Sequence, residues 1–415
     1  MHQSFNNEIK RCLIITAVCS LGLTATAQTL TMQQCFDMAT KNSLTLKAAA
    51  AQTEKAQAMQ ATAWDLDKTQ LSLAQDPTSG GSPDNAIAIS QSIEFPTVYA
   101  ARRSRLKAET AVEQGRQRVA EQQLRADIAT AYWDAVYRQE RLRIMQRQLA
   151  LLEHYAATAE TRHKAGEARL SERLSARRRL ESLRLDIISA QNEYDAQRLA
   201  LAALAGTAEP ITPADTCLAP LNYAPTAFTY AATADGELAA RGVRAADKAV
   251  REARSAFAPT LSLSLRQQLV ITGWDPYHEN RQRYQGGNFM GFEVGIGIPL
   301  VFGATKARVK AAHKEKETAE LLMRQQEKQL QTEYDIAANQ YNATAQRMAY
   351  YEKEGTADAL ETARIATAEY DNGDISYTEY NAAMQEALDT QMKRAEAIND
   401  FNQAVITLRR LKSEF

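Results

Sequence analysis

An excess of charge of one sign is missing from this sequence. Its 415 residues carry 49 Lys and Arg against 50 Asp and Glu, a formal net charge of −1. A chain that lives on nucleic acid would carry a basic surplus, so that class is set aside. Glycine and proline are sparse, 17 and ten residues, and only 7% of the chain is aromatic. With abundant Ala, Gln, Glu, Arg and Leu, this composition favours long helices over a compact α/β domain. Metal-ligand spacing is also absent. Cys35 and Cys217 lie too far apart for it, and His154, His163, His278 and His313 are scattered without a neighbouring Cys. Neither a nucleophile elbow nor a Gly-rich phosphate loop is present, so no enzyme, cofactor or metal site is expected. Beyond the first residues no run is apolar enough for a transmembrane helix. Any membrane crossing must therefore use strands.

What the N-terminus does have is an export signal. Lys10 and Arg11 precede the apolar run CLIITAVCSLGL, and Ala25-Thr26-Ala27 is a small-x-small cleavage site. The run is too short to span a bilayer, so a signal peptide over 1–27 is expected, with the mature chain starting at Gln28. Val18 fits a lipobox poorly, which disfavours lipid on Cys19. Cleavage leaves Cys35 and Cys217, whose pairing stays open.

The rest of the chain is one plan written twice. Each copy opens with a helical run and continues into two short alternating stretches. In the first copy these are KTQLSLA, through Leu71 and Leu73, and AIAISQSIEF, through Ile87, Ile89, Ile93 and Phe95. In the second, Leu261, Leu263, Leu265, Leu269 and Ile271 share one face, and Phe292, Val294, Ile296, Ile298 and Leu300 share another. One apolar and one polar face over about ten residues suits a membrane β-barrel, and a half-buried soluble sheet has the same period. A proline follows each pair (Pro96, Pro299), and then a long heptad pattern. Its seam runs Ile128, Ala131, Ala135, Leu142, Met145, Leu149, Leu152, Ala156 and Ala159, with Arg138 interrupting. The second copy has Leu330, Tyr334, Ala337, Tyr341, Met348 and Tyr351, with Thr344 in the gap. Unbroken, residues 97–163 would reach about 100 Å at 1.5 Å per residue. Each long helix ends at a glycine followed by an acid, Gly166-Glu167 and Gly373-Asp374, 207 residues apart (373 − 166). Antiparallel helical hairpins turning there are expected. Their Ala- and Tyr-filled seams suit helices packed side by side into a wide cylinder. The division is therefore 28–206 for the first repeat, 207–225 for a proline-rich linker and 226–415 for the second repeat.

Signal, duplicated helix–strand–strand–long-hairpin units and the proline after each second strand together resemble the TolC-like outer-membrane efflux family. The stretches that carry the resemblance are LTMQQCFDMATKNSLTLKAA, SIEFP, IGIPLVFGATKARVKAA and the two glycine turns. The resemblance implies a mainly α protein with a small transmembrane β part. Three protomers would build an α-barrel from the hairpins and a 12-stranded β-barrel from four strands each. The chain would be the outer-membrane exit duct of a tripartite efflux system, working with a periplasmic adaptor and an inner-membrane pump. AYYEKEGTADALETARIATAEYDNGDISYTEYNAAMQEALDTQ is similar to partners of heavy-metal resistance–nodulation–division pumps, so metal cations are the expected cargo. Drugs or other small molecules are the alternative. A periplasmic adaptor is less favoured, because adaptors have one hairpin and this chain has two.

In this family, acids just past the second glycine turn ring the periplasmic entrance. Glu379 falls at such a position, while a second family acid would land on Ala382. Ser376-x-x-Glu379 also reads as a helix capping box, and both roles are compatible. Tyr370 and Asp371, just before the turn, are further gate candidates. Gly166, Glu167, Gly373 and Asp374 are candidate tip contacts for the adaptor, or plain turn chemistry.

Overall fold

The computed structural model describes residues 28–77, 83–269 and 289–415. The expected leader with Cys12 and Cys19 lies outside them, as do Ile271 and His278. One order of elements runs twice. It begins as β1 (Gln28–Leu30), α1 (Met32–Asn42), α2 (Leu44–Met59), β2 (Gln70–Pro77), β3 (Pro83–Glu94), α3 (Pro96–Lys164) and α4 (Leu170–Ala205). It returns as β4 (Ile211–Pro213), α5 (Ala234–Ser255), β5 (Thr260–Leu269), β6 (Phe289–Gly297), α6 (Gly303–Tyr350), α7 (Thr356–Asn372) and α8 (Tyr377–Leu411). α3 is a single helix of 69 residues, as the heptad pattern requires. Its counterpart is not single: a π-helical turn, Tyr351–Gly355, divides α6 from α7. The chain forms two compact units, and each repeat contributes to both. One holds residues 28–44, 123–226 and 334–415; the other holds 45–122 and 227–333.

The second unit contains the sheet, in the order β2-β3-β5-β6, all antiparallel. β3 of the first repeat pairs with β5 of the second from Asn85↔Leu269 to Glu94↔Thr260, so the sheet is built across the duplication. Register puts Leu71, Ile89, Leu265 and Phe292 in one cross-strand row, and Ile93, Leu261 and Ile296 in another. Ser72, Ala88, Arg266 and Gly291 form a row on the opposite face, beside Gln70, Ser90, Ser264 and Glu293. The apolar row is not covered: Leu71 is 73% exposed and Phe292 is 80% exposed. On the polar face a Cβ at Gly295 or Gly297 would meet the hydroxyls of Ser262 and Thr260, so any larger residue on β6 there requires those hydroxyls to rotate away. The alternation expected to continue through Ile298 and Leu300 stops at Gly297. Pro299 has no N–H to give to a ladder, which ends the strand. Beside the sheet, Thr53 bonds Gln117 at 3.2 Å and Gln60 bonds Thr110 at 2.7 Å, fastening α2 and the turn that follows it to α3.

In the first unit β1 and β4 pair in parallel, Gln28↔Ile211 to Leu30↔Pro213, so the proline-rich stretch contributes a strand. A capping box at Thr31 and Gln34 starts α1. Its buried Cys35, Phe36 and Ala39 join Ile128, Tyr132, Val136, Leu201, Ala205, Ile211 and Ile398 in the main core. The seam residues Ile128, Ala131, Ala135 and Ala159 are buried as expected, as are Tyr334 and Ala337 of the second copy; Leu183 and Ala190 of α4 are buried as well. Arg138, the seam's interruption, pairs with Asp134 and Glu193, each at 2.8 Å. Cys35 is buried, Cys217 is exposed, and both are free thiols.

Asn402, fully buried on α8, holds the connector between the repeats. Its Oδ1 accepts from Leu221 N–H at 2.8 Å and its Nδ2 donates to the Ala219 carbonyl at 3.0 Å. Removing it strands two backbone groups, at a cost of about 1–3 kcal/mol. Asn402→Leu is therefore expected to lower the midpoint of thermal loss of helical circular dichroism by several degrees, with Gln403→Leu much milder.

Candidate functional site

The two hairpin turns are built alike. At the first, Gly166 has φ +81°, its N–H reaches the His163 carbonyl at 3.0 Å, and Glu167 N–H reaches the Arg162 carbonyl at 2.9 Å. At the second, Gly373 has φ +86°, with Gly373 N–H on Tyr370 O at 3.0 Å and Asp374 N–H on Glu369 O at 2.8 Å. Both are Schellman motifs. A Cβ on either glycine would meet nothing within 4 Å, so the left-handed backbone, not lack of space, calls for glycine.

The return helices start differently. Ser376 caps α8: its Oγ accepts from Glu379 N–H at 3.3 Å, and Ser376 N–H donates to Glu379 Oε2 at 2.8 Å. Glu379 therefore does form the capping box, on an exposed surface, and those bonds from Ser376 hold its carboxyl below the usual range. The matching position of the first repeat is Arg169, which makes no side-chain cap.

Between the turns lies a cluster the sequence reading did not assemble. Tyr155, Tyr370 and Tyr380 are buried with Ala159, Ala176 and Ala366, and Tyr377 packs against them. Tyr155 stacks on Tyr377 at 5.1 Å, and Tyr370 on Tyr380 at 4.9 Å. The Tyr370 hydroxyl donates to Glu172 Oε1 at 2.6 Å, and the Tyr155 hydroxyl lies 3.1 Å from the Tyr370 oxygen and 3.2 Å from Glu172. The Arg162 guanidinium sits 5.3 Å above the Tyr370 ring. Tyr370 thus ties the second hairpin to both helices of the first. Asp371 is exposed and lines a cleft of about 310 Å³ with His154, Tyr380 and Met384. The exposed tip residues Glu167 and Asp374 make no contact with each other among the described interactions. A larger groove of about 980 Å³ opens between the turns, edged by Arg162, Arg169, Arg178 and Arg179 on one side and Gly373, Tyr377 and Asn381 on the other.

The turns differ most in charge. Residues 160–179 hold seven Lys and Arg against three Glu, a balance of +4 (7 − 3). The equivalent residues 367–386 hold five Asp and Glu and no Lys or Arg, a balance of −5. Duplicated backbone carries opposite electrostatics. Among the described residues no group of three or more His, Cys, Asp or Glu could hold a metal ion. His163 instead closes its own turn against the Ala168 carbonyl at 3.0 Å.

The described residues thus hold paired hairpins with oppositely charged tips and a four-stranded sheet with an uncovered apolar face. Residues 237–412 match the family model described as outer membrane efflux protein. That match lies within the second repeat. The chain's fold is that of solved outer-membrane channels. It is similar to VceC of Vibrio cholerae, at 18% identity and TM-score 0.71, covering 92% of this chain and 96% of that one. It is similar to CusC, at 18% identity and TM-score 0.76, covering 93% of each. The open-state MtrE channel of Neisseria gonorrhoeae is matched at 17% identity and TM-score 0.72, over 92% of this chain and 88% of that one. No curated protein sequence matches.

Burial, then the Tyr370 bond and the Glu172 charge, push the Tyr155 phenol up; burial first, then Glu172, does the same for Tyr370. Phenols whose folded values are raised above the ordinary value of about 10 stabilise the fold fully below that pH and lose that contribution as pH rises through the folded values. Tyrosinate absorbance is expected to show a class ionising only above about pH 10, smaller in Tyr155→Phe and Tyr370→Phe proteins. The hairpin contact should weaken over that alkaline range and not on mild acidification.

Proposed function

We propose that three copies of this chain form the exit duct of a tripartite efflux system, with metal cations as cargo. The observation that carries the reading is the open four-stranded sheet. Its apolar rows face outward uncovered, its polar rows and glycines lie on the other face, and its outer strands β2 and β6 each have one unpaired edge. Lipid would satisfy the apolar face, and neighbouring copies would satisfy the edges in a closed barrel of 12 strands. The groove between the turns, lined by Glu167 and Gly373 with Gly166 and Asp374 next to them in sequence, is the contact we assign to the adaptor. The acidic second hairpin supports cations over neutral cargo: threefold repetition of Glu379, with Asp371 nearby, concentrates negative potential at one mouth. Conduction is passive, so no resident metal site is required. The Tyr370 tether to Glu172 holds that mouth shut until the adaptor spreads the tips.

Facing is tested by labelling single cysteines with a membrane-impermeant thiol reagent in intact outer membrane. Ser264→Cys should react readily and Leu263→Cys poorly; equal reaction along β5 would rule out the barrel.

The gate is tested at Glu379. In planar bilayers Glu379→Lys should reduce cation conductance, and Glu379→Ala should weaken block by added divalent cations. Gln keeps the capping bond but not the charge. Unchanged block and selectivity in Glu379→Gln would leave this residue as a cap alone and favour small organic molecules as cargo.

A further inference from the structure

The two long helices that descend to the turns differ by one residue, and the difference has a location. Buried seam positions above the π-turn correspond at a separation of 206: Ile128 with Tyr334 (334 − 128) and Ala131 with Ala337 (337 − 131). Below it the separation is 207: Ala159 with Ala366 (366 − 159) and Gly166 with Gly373 (373 − 166). The return helices keep 207 throughout, as Ala190 with Ala397 and Leu201 with Leu408 show. The second copy therefore carries one inserted residue in its descending helix alone. It is absorbed between α6 and α7, where Thr356 N–H reaches back five residues to the Tyr351 carbonyl. A single wide turn is the way a helix takes up one extra residue without rotating the seams on either side.

That turn is held lightly. The Thr356 hydroxyl donates to the same Tyr351 carbonyl at 2.6 Å, so one acceptor serves two donors. Gly355 is buried, and a Cβ there would lie 3.0 Å from the Tyr350 ring. Glu352 reaches Arg394 on α8 at 3.4 Å. Beside the turn, Thr356, Leu360, Arg394 and Ile398 edge a cleft of about 180 Å³ that leaves room for α7 to shift. The seam of α7 below is filled by Ala363 and Ala366, which bury little area, until Tyr370 closes it.

We propose that the π-turn Tyr351–Gly355 is a flexure built only into the second hairpin, about which α7 and its tip tilt while the uninterrupted α3 stays straight. Tyr370 is the latch at the far end of the moving piece. The purpose of the motion rests on the channel reading above, but its existence does not. Helix breaks with identifiable causes are where long helices bend.

The experiment deletes Glu354, which restores a separation of 206 along the whole descending helix and so leaves both seams aligned. Spin labels at Glu167→Cys and Asp374→Cys, on a Cys217→Ser background and diluted with unlabelled chains, report the distance between the turns of one protomer. In Tyr370→Phe protein the distribution should gain a longer component; adding the deletion should reduce that component at least about fivefold, as a stiff helix has fewer open states. A single distance in Tyr370→Phe, or a long component unchanged by the deletion, would overturn the flexure. Should the deletion fail to fold, amide exchange in the unaltered chain decides. Residues 351–356 should exchange at least about tenfold faster than 144–149 of α3, and equal rates would overturn the proposal. Absent ion conductance with the flexure intact would count against the channel reading alone.

Discussion

A sheet of four strands cannot stand alone with apolar side chains on an uncovered face and backbone donors and acceptors along two edges. That constraint shapes the rest of this protein. Leu71, Ile89, Leu265 and Phe292 give the sheet an outward row that water does not favour. The edges of β2 and β6 call for strands that a single chain does not have. Pairing β3 with β5 makes the two repeats one object at this point, so neither copy is independent of the other. The hairpins inherit that coupling.

At the turns the duplication has been put to two uses. Backbone geometry is the same at Gly166 and Gly373, down to the pair of Schellman bonds. Side-chain chemistry has diverged to a basic first hairpin and an acidic second. Equal shape with opposite charge lets first and second hairpins attract while hairpins of one kind repel, which favours alternation in any ring built from them. The tyrosine cluster adds a directional element that charge lacks. Glu172 accepts from Tyr370 at one distance and angle, in a setting where burial raises the cost of leaving either group unpaired.

Much of this was legible in the sequence because helical seams and strand faces have a period. Ile128, Ala131, Ala135 and Ala159 could be placed on buried faces from spacing alone, and the glycine turns from the acid that follows each glycine. The end of β6 at Gly297 was missed because the apolar alternation runs on past it, and the proline that stops it carries more weight than the pattern. The tether was missed for a different reason. Tyr155 and Glu172 are 198 and more residues from Tyr370, and pairing across that gap is a property of packing. A hint was present in Tyr370, Tyr377 and Tyr380, three phenols around one turn. The π-turn was legible too, in seam positions 206 apart above it and 207 apart below, but a single overall period averages that residue away.

The cap at Ser376 has a mechanical consequence. Helix α8 begins with its first donors satisfied by side chains, while α4 begins at Arg169 without a side-chain cap. One arm of the second hairpin is thus firm up to the bend, and the other joins it through a closed glycine turn. From Gly355 to Gly373 that arm is a lever of about 27 Å, and a tilt of about ten degrees at its root carries its end by about 5 Å. Such a displacement is comparable to the diameter of a hydrated ion's inner shell, so small angular work at one wide turn becomes a large movement at the hairpin tip.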